Sequence, residues 1–361
     1  MTSGPAAHVP MPLSLAVPDS DNERPTLKTI AAETGLAVAT VSRALKDAPD
    51  IGQATKLRVR EAATRLGYRP NRAGVRLRTG KTNVIALVLS TESDVMNHTS
   101  QLIYSIANAL RGTAYHLIVT PFFPDQDPMD PIRYLVETES ADAVILNQTK
   151  PDDPRVRYMA ERGFPFATHG RTAMGIEHSY YDFDNEAFAR VAVQALAARG
   201  RKRLLLVPPP RSHSYARHMT TGFATSAGEH GLSFEVLTTA TSDSGGIAIE
   251  AAITAHMAQA SARPDGILCG STTAAMATVN GCEALGMVLG RDFDLVAKEA
   301  IRFLQRFRRD ILVVQEDVRQ AGDFLARAVV ASIERRDTPA QQGLERPGNV
   351  DGAGDNKGGP P

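Results

Sequence analysis

Residues 26–45 read Thr26-Leu-Lys-Thr-Ile-Ala-Ala-Glu-Thr-Gly-Leu-Ala-Val-Ala-Thr-Val-Ser-Arg-Ala-Leu45, and their pattern decides how the N-terminal part of the chain folds. Thr26 is placed to cap a helix whose apolar residues Leu27, Ile30 and Ala31 share one face. Gly35 then supplies the positive φ of a tight turn, which residues with a Cβ resist. A second helix follows with Val41, Ala44 and Leu45 turned inward, and a third runs from about Gln53 to Leu66 with Leu57, Ala62 and Leu66 available to the core. A small residue at Ala31, Gly at the turn and Val41 inside are what two steeply crossing helices need in order to pack. The same inward set leaves Val38, Ala39, Thr40, Ser42, Arg43 and Lys46 on or near the outer face of the second helix. The spacing predicts a helix-turn-helix unit over residues 25–69, with the second helix shaped to enter a major groove.

Charge supports a nucleic-acid face. The 361-residue chain carries 40 Lys plus Arg against 40 Asp plus Glu. Between Arg24 and Lys81, however, thirteen basic residues face only four acidic ones, a surplus of nine that the rest of the chain must balance. A basic module on an acidic body suits a protein with one face for nucleic acid. Residues 70–81 read as a hinge. Asn71 can cap a short helix, yet Gly74 and the β-branched Val75 make it a poor one, since Gly costs about 1 kcal/mol against Ala and a helix so short is marginal in water. Such a segment is expected to form only against a partner.

From Thr82 the pattern changes to short β-rich runs alternating with amphipathic helices. Strands are expected at Val84–Leu89, His116–Thr120, Ala143–Leu146, Phe164–Thr168, Arg203–Val207, Phe234–Leu237, Gly266–Cys269 and Leu312–Gln315. Helices between them include Gln101–Arg111, Asn185–Ala198, Gly245–Gln259, Thr273–Leu285 and Gln320–Glu334. That rhythm predicts an α/β fold of parallel sheets flanked by helices, and residues 82–342 suffice for two lobes. Residues 1–24 and 343–361, rich in Pro, Gly and small polar residues, are expected to be a disordered leader and tail. No run approaches a transmembrane span, and the proline-broken leader does not read as a signal peptide. Cys269 and Cys282 read as buried thiols without metal spacing, so a cytoplasmic protein is expected, and the basic headpiece would associate it with the nucleoid.

Open parallel sheets bind ligands beyond the carboxyl ends of their strands. Polar residues placed there are Asn147, His169, Arg171, Asp184, Asn185, Arg217, Ser271, Lys298 and Glu299. They supply donors, acceptors and both charges, the set a polyhydroxylated small molecule requires. No phosphate-binding Gly-x-x-x-x-Gly-Lys-Ser/Thr loop, dinucleotide Gly-x-Gly-x-x-Gly or Gly-x-Ser-x-Gly elbow occurs, and the scattered His residues lack metal spacing. No enzyme, cofactor, catalytic or metal site is therefore expected.

Taken in order, Thr40-Val-Ser-Arg43, Gly67-Tyr-Arg-Pro-Asn71, Leu77-Arg-Thr-Gly-Lys-Thr82 and the strand Val84–Leu89 resemble the LacI/GalR family of repressors, over roughly residues 25–340. The resemblance implies a helix-turn-helix headpiece and a two-lobed core like that of periplasmic binding proteins. It implies a homodimer on a palindromic operator, controlled by a sugar or sugar derivative between the lobes. It also implies that Val38 and Ala39 make apolar contact with base edges and that Arg43 reads a guanine, while Thr40, Ser42 and Lys46 meet phosphates. Leu27, Tyr68, Asn71, Gly74 and Arg78 join the DNA-contacting set, with Arg72 and Arg76 adding charge. Leu77 matches the wedge that such proteins drive into the minor groove to kink the duplex.

The chain departs from the family in several places. Ala37 stands where Ser often opens the recognition helix, a cap weaker by about 1 kcal/mol. Gly74 and Val75 replace the usual Ala and a common Arg. Met219 replaces a second Arg, and Ala297-Lys298-Glu299-Ala300 replaces Gly-Phe-Asp-Asp. Of the effector residues, the resemblance favours Asp184, Asn185 and Arg217 most, while Lys298 beside Glu299 suits an acidic or modified sugar. A periplasmic sugar-binding protein shares the core architecture, but the basic headpiece argues against it.

Overall fold

The structure is a computed structural model that describes residues 25–68, 80–91, 96–123 and 125–351. The chain divides into two compact units at Gly80. Asn71, Arg72, Gly74, Val75, Arg76, Leu77 and Arg78, expected to form the hinge, lie outside the described residues, as do residues 1–24.

The described residues of the first unit form three helices: α1 (Leu27–Thr34), α2 (Val38–Leu45) and α3 (Gln53–Arg65). Thr26 and Thr29 cap α1 reciprocally, and Gly35 ends it in the left-handed conformation at φ 64°. Ala37 opens α2 with no side-chain cap. Ile30, Ala31, Val41, Ala44, Val59, Ala62 and Ala63 form the core, with Leu27, Leu66 and Tyr68 packed against it. Leu57, expected inside, is 60% exposed. The register of α3 that buries Val59, Ala63 and the stem of Lys56 turns the intervening position outward. The Lys56 ammonium still reaches the Asp47 carbonyl oxygen at 3.2 Å, so its charge is satisfied at the edge of the core.

In the second unit, one lobe is a parallel sheet of β1 (Val84–Ser90), β2 (His116–Phe122), β3 (Ala143–Leu146), β4 (Phe166–His169), β5 (Ser179–Phe183) and β11 (Gln342–Glu345), ordered β11-β5-β4-β3-β1-β2. Both faces are covered, so β1 is a continuous apolar run. Ile85, Leu87 and Leu89 face the helices Met96–Ala109 (α4) and Val318–Glu334 (α12). Ala86 and Val88 face Asp130–Glu137 (α5) and Pro154–Glu161 (α6). The other lobe is a parallel sheet of β6 (Arg203–Val207), β7 (Ser233–Val236), β8 (Gly266–Cys269), β9 (Asp294–Glu299) and β10 (Leu312–Gln315), ordered β10-β9-β8-β6-β7. Leu205, Val207, Ile267 and Val313 pack with Ile249 and Ile253 of α9 (Gly246–Gln259) and Val279 of α10 (Thr272–Glu283). Leu204, Leu206 and Leu268 pack with Phe188 and Val193 of α7 (Asn185–Ala198) and with Met219 and Phe223 of α8 (Ser214–Glu229). Gly222 lets α7 and α8 approach so closely that a methyl group on it would stand 2.2 Å from the Glu186 carbonyl oxygen. A short helix, α11 (Leu304–Phe307), precedes β10. Cys269 and Cys282 are free and buried, and burial pushes both thiols up to about 12. No helix among the described residues is long and apolar enough to cross a membrane.

The chain passes between the lobes after β5, after β10 and after β11. Residues 343–351, expected as disordered tail, instead complete this junction. The Glu345 carbonyl accepts the Asp184 N–H at 2.8 Å, its carboxylate accepts the Asp317 N–H at 2.8 Å, and Asp351 pairs with Val313 through two 2.9 Å backbone bonds. The strand left little hydrophobic signal because it lies at a sheet edge and Leu344 is 41% exposed. Gly343 is needed beside Tyr181, whose ring would meet an added methyl at 2.7 Å.

Candidate DNA-reading helix and ligand cleft

On the first unit, Val38, Ala39, Arg43 and Lys46 are exposed, while Thr40, Ser42, Leu27 and Tyr68 are half-buried. The inward pair Val41 and Ala44 fixes this presentation, since the rest of so short a helix must face outward. The Arg43 guanidinium is paired with Asp50. Asp47 sits at φ 60° and accepts ion pairs from Lys56 and Arg60 at 3.2 and 2.8 Å. These bonds, led by that of Lys56, lower its carboxyl below the usual range.

Between the lobes of the second unit lies a cleft of about 730 Å³, counting the space open to solvent. Five of the nine residues expected to bind a ligand line it: Asn147 after β3, His169 at the end of β4, Asn185 at the start of α7, Ser271 after β8 and Lys298 in β9. The Lys298 ammonium stands 2.7 Å from Glu316 Oε2 and donates to Asn185 Oδ1 at 3.1 Å, using two of its three N–H bonds. Glu316 Oε1 faces His98 Nε2 at 3.4 Å and His169 Nε2 at 3.9 Å. Burial alone would raise the Glu316 carboxyl, but Lys298 and the two imidazoles hold it well below its usual range. Burial, then the neighbouring His98, pushes His169 down to about 3, so its imidazole is neutral. Buried Asn147 leaves its Oδ1 without a partner among the described residues, an acceptor awaiting a donor. Burial raises the Asp182 carboxyl to about 7 against the pull of Arg171. Arg171 Nε lies 2.9 Å from Asp182 Oδ2 but out of line for a hydrogen bond.

Four expected residues do not line the cleft. Arg171 pairs with Asp182, which does line it. Asp184 caps α7 by accepting the Ala187 N–H at 3.0 Å. Glu299 is a buried brace: β9 runs on through it, and its carboxylate accepts the N–H groups of Phe303 and Leu304 and the Gln315 amide. Arg217 is exposed, because α8 turns Ala216, Met219 and Phe223 inward at helical spacing and leaves position 217 outside.

Other cleft residues escaped the sequence reading: His98, Gln148, Thr149, Asp182, Tyr215, Ser242, Asp243 and Glu316. Glu316 directly follows an expected strand, so the carboxyl-end rule that found Asn147 and Ser271 would have found it. Asp182 lies in β5, a strand that its own charge concealed. His98, His169 and Glu316 bring potential metal-ligand atoms within 4.8 Å of one another. The Lys298 ammonium already supplies positive charge to that carboxylate, so the group as it stands offers donors and acceptors to hydroxyls.

A helix-turn-helix unit and a two-lobed, cleft-bearing parallel α/β unit in one chain define the class of ligand-gated DNA-binding regulators. The family comparisons agree: residues 26–71 match the bacterial regulatory proteins of the lacI family, and residues 82–298 match the periplasmic binding proteins and sugar binding domain of the LacI family. This chain belongs to the LacI family of bacterial transcriptional regulators. It is 39% identical over 209 residues to the HTH-type transcriptional regulator RafR of Escherichia coli, covering 57% of this chain and 62% of that relative. It is 28% identical over 328 residues to AglR of Rhizobium meliloti (strain 1021), covering 88% and 90%. In fold it resembles the lac repressor dimer bound to operator and the anti-inducer ONPF, with TM-score 0.79, 17% identity and 91% and 98% of the two chains covered. It also resembles CelR in complex with cellobiose, with TM-score 0.63, 22% identity and 90% and 98% covered.

Proposed function

We propose that this protein is a transcriptional repressor that binds a palindromic operator as a homodimer, with its grip set by a saccharide in the cleft between the lobes. The observation that carries the reading is the cleft itself. The neutral His169 imidazole, an ion-paired Lys298 and the unpartnered Asn147 oxygen converge from both lobes in one chain with a basic helix-turn-helix. Hydroxyl groups both donate and accept, so a sugar satisfies such a mixed lining, whereas an apolar ligand would leave it unpaired. CelR, similar in fold, was solved with cellobiose, which supports a saccharide here.

Asn147, His169, Asn185, Ser271 and Lys298 hold the ligand in this reading, and His98, Asp182 and Glu316 join them. Val38, Ala39 and Arg43 read base edges, Thr40, Ser42 and Lys46 meet phosphates, and Leu77 enters the minor groove between paired hinges. A lac repressor solved as a dimer on operator DNA supports the symmetric arrangement. Ile247, 90% exposed on α9, is an apolar side chain that a partner subunit would cover. The protein acts in the cytoplasm on the nucleoid and turns over no substrate.

Selection of duplexes from a random pool by the full-length protein tests this. A palindromic site should emerge, and Leu77→Ala should weaken binding to it more than binding to bulk genomic DNA. Recovery of no preferred sequence, with and without saccharides, would overturn the reading.

A further inference from the structure

A second cavity, about 620 Å³ counting the space open to solvent, adjoins the first, and Gln148 lines both. Its walls come from both lobes and from the same end of the sheets. Ser90 and Phe122 end β1 and β2, Lys150 follows β3, and Ser212 and His213 belong to the loop between β6 and α8. It continues the ligand-binding edge of the fold rather than forming a separate surface pit.

The shared wall is held in an unusual conformation. Gln148 has φ 50°, a left-handed backbone that costs a residue with a Cβ on the order of 1 kcal/mol. Arg155 fixes it there by donating to the carbonyl oxygens of Gln148 at 3.1 Å and Asn147 at 3.4 Å. Arg155 is in turn held by two bonds to Asp153, at 2.7 and 3.0 Å, and both side chains are buried. A buried ion pair thus positions one loop residue between two cavities. The Gln148 side-chain amide makes no hydrogen bond among the described residues, so its donors and its acceptor are open to a guest. Strain of this kind persists only where the surroundings over-determine it, and it concentrates at ligand sites.

We propose that the second cavity is a second glycosyl subsite, so that the effector is an oligosaccharide of two or more units running from the inner pocket past Gln148 to the mouth of the cleft. This rests on the saccharide reading of the inner pocket. The lining has the mixed character that a pyranose presents. Phe122, Pro128 and Pro210 give apolar surface for a ring face, while Gln126, Lys150 and Ser212 give polar atoms for its rim. It does not have the character of a phosphate site. Arg155 is already neutralised by Asp153. Buried His213, stacked on Tyr215 at 5.3 Å, is held below its ordinary range and carries no charge. Among the described residues of the lining, Lys150 is left as the single unneutralised cation, where a phosphate would call for several.

Calorimetric titration of the full-length protein with glucose, galactose, maltose, cellobiose, melibiose, raffinose and glucose 6-phosphate tests the proposal. The di- or trisaccharide that binds best should bind about tenfold or more tighter than either of its component monosaccharides. Ser212→Phe, which fills the outer cavity from an exposed loop, and Lys150→Ala should each reduce that advantage severalfold and leave the monosaccharide affinity unchanged. Melting curves establish that both variants fold. A monosaccharide that binds as tightly as every oligosaccharide containing it overturns the second subsite but leaves the saccharide reading standing. Tighter binding of glucose 6-phosphate than of any neutral saccharide also overturns it. No binding by any member of the panel removes the saccharide reading, and the second subsite with it.

Discussion

The Lys298 ammonium stands 2.7 Å from Glu316 Oε2, joining β9 to the segment after β10 that returns to the other lobe. Both side chains are largely buried, at 12% and 4% exposure. The ion pair therefore serves the cleft and the lobe junction together. Breaking a buried pair from one side leaves an uncompensated charge and costs about 3–5 kcal/mol. Lys298→Met and Glu316→Gln should each destabilise the protein on that scale in urea unfolding. The double variant should fall well short of their sum. Additive losses would show that the two charges do not depend on each other.

Asp182 makes the cleft sensitive to pH. Its folded carboxyl, raised by burial, titrates near 7, whereas an unfolded Asp titrates at about 3.9. Between those values the folded state keeps a proton that the unfolded state has lost. Stability is thus fully retained below the unfolded value and declines as pH rises through 7. His169, lowered to about 3, works in the opposite sense, losing stability as pH falls below its unfolded value. Comparison with Asp182→Asn cancels that contribution. From pH 5 to 8 the variant should gain roughly 2 to 3 kcal/mol relative to the parent chain, read from paired melting curves. A constant difference would place the Asp182 titration elsewhere.

Two glycines of α8 should respond oppositely to alanine. At Gly222 the added methyl meets the Glu186 carbonyl oxygen at 2.2 Å, so α7 and α8 must separate, at a cost of about 1–3 kcal/mol. At Gly228 it meets nothing within 4 Å, and the gain in helix propensity should stabilise by about 0.5–1 kcal/mol. Equal shifts in Tm would mean that the α7–α8 crossing is looser than described.

In the first unit, Arg43 and Lys46 are both exposed on α2, but the proposed roles differ. Arg43→Ala should cost about 1–3 kcal/mol on the selected operator and relax preference at one base pair. Lys46→Ala should weaken all duplexes alike and reduce the slope of log affinity against log salt by about one unit. Competition binding across salt concentrations distinguishes them. A uniform loss from Arg43→Ala would make it a phosphate contact instead.

Much of this architecture was legible in the residues. The helix-turn-helix follows from a period-3.6 pattern, and the α/β class from short apolar runs alternating with amphipathic helices. Strands buried on both faces read as continuous apolar runs, so that Ala143–Leu146, Arg203–Val207, Gly266–Cys269 and Leu312–Gln315 appear with the expected bounds. What escaped carries weak periodicity. Ser179–Phe183 has Asp182 within it, Ser214–Glu229 is mostly Thr, Ser, Gly and Ala, and Gln342–Glu345 is an edge strand that buries little. In the cleft, position after a strand was a sound guide for Asn147, His169 and Ser271. It failed for Glu299, which lies within β9 rather than beyond it, and for Arg217, where helical phase decides which way the side chain points. His98 and Glu316 are neighbours only because α4 and the lobe junction meet in space, a relation that sequence distance conceals.

Operator affinity measured by fluorescence anisotropy, with and without saturating saccharide, tests the coupling between the cleft and the DNA-reading helix most directly. The selected operator and the saccharide that most raises Tm are the reagents. Operator Kd should change by about 5- to 150-fold, and operator DNA should change the saccharide Kd by the same factor, since linkage is reciprocal. A saccharide that binds the cleft yet leaves operator Kd unchanged would contradict the account.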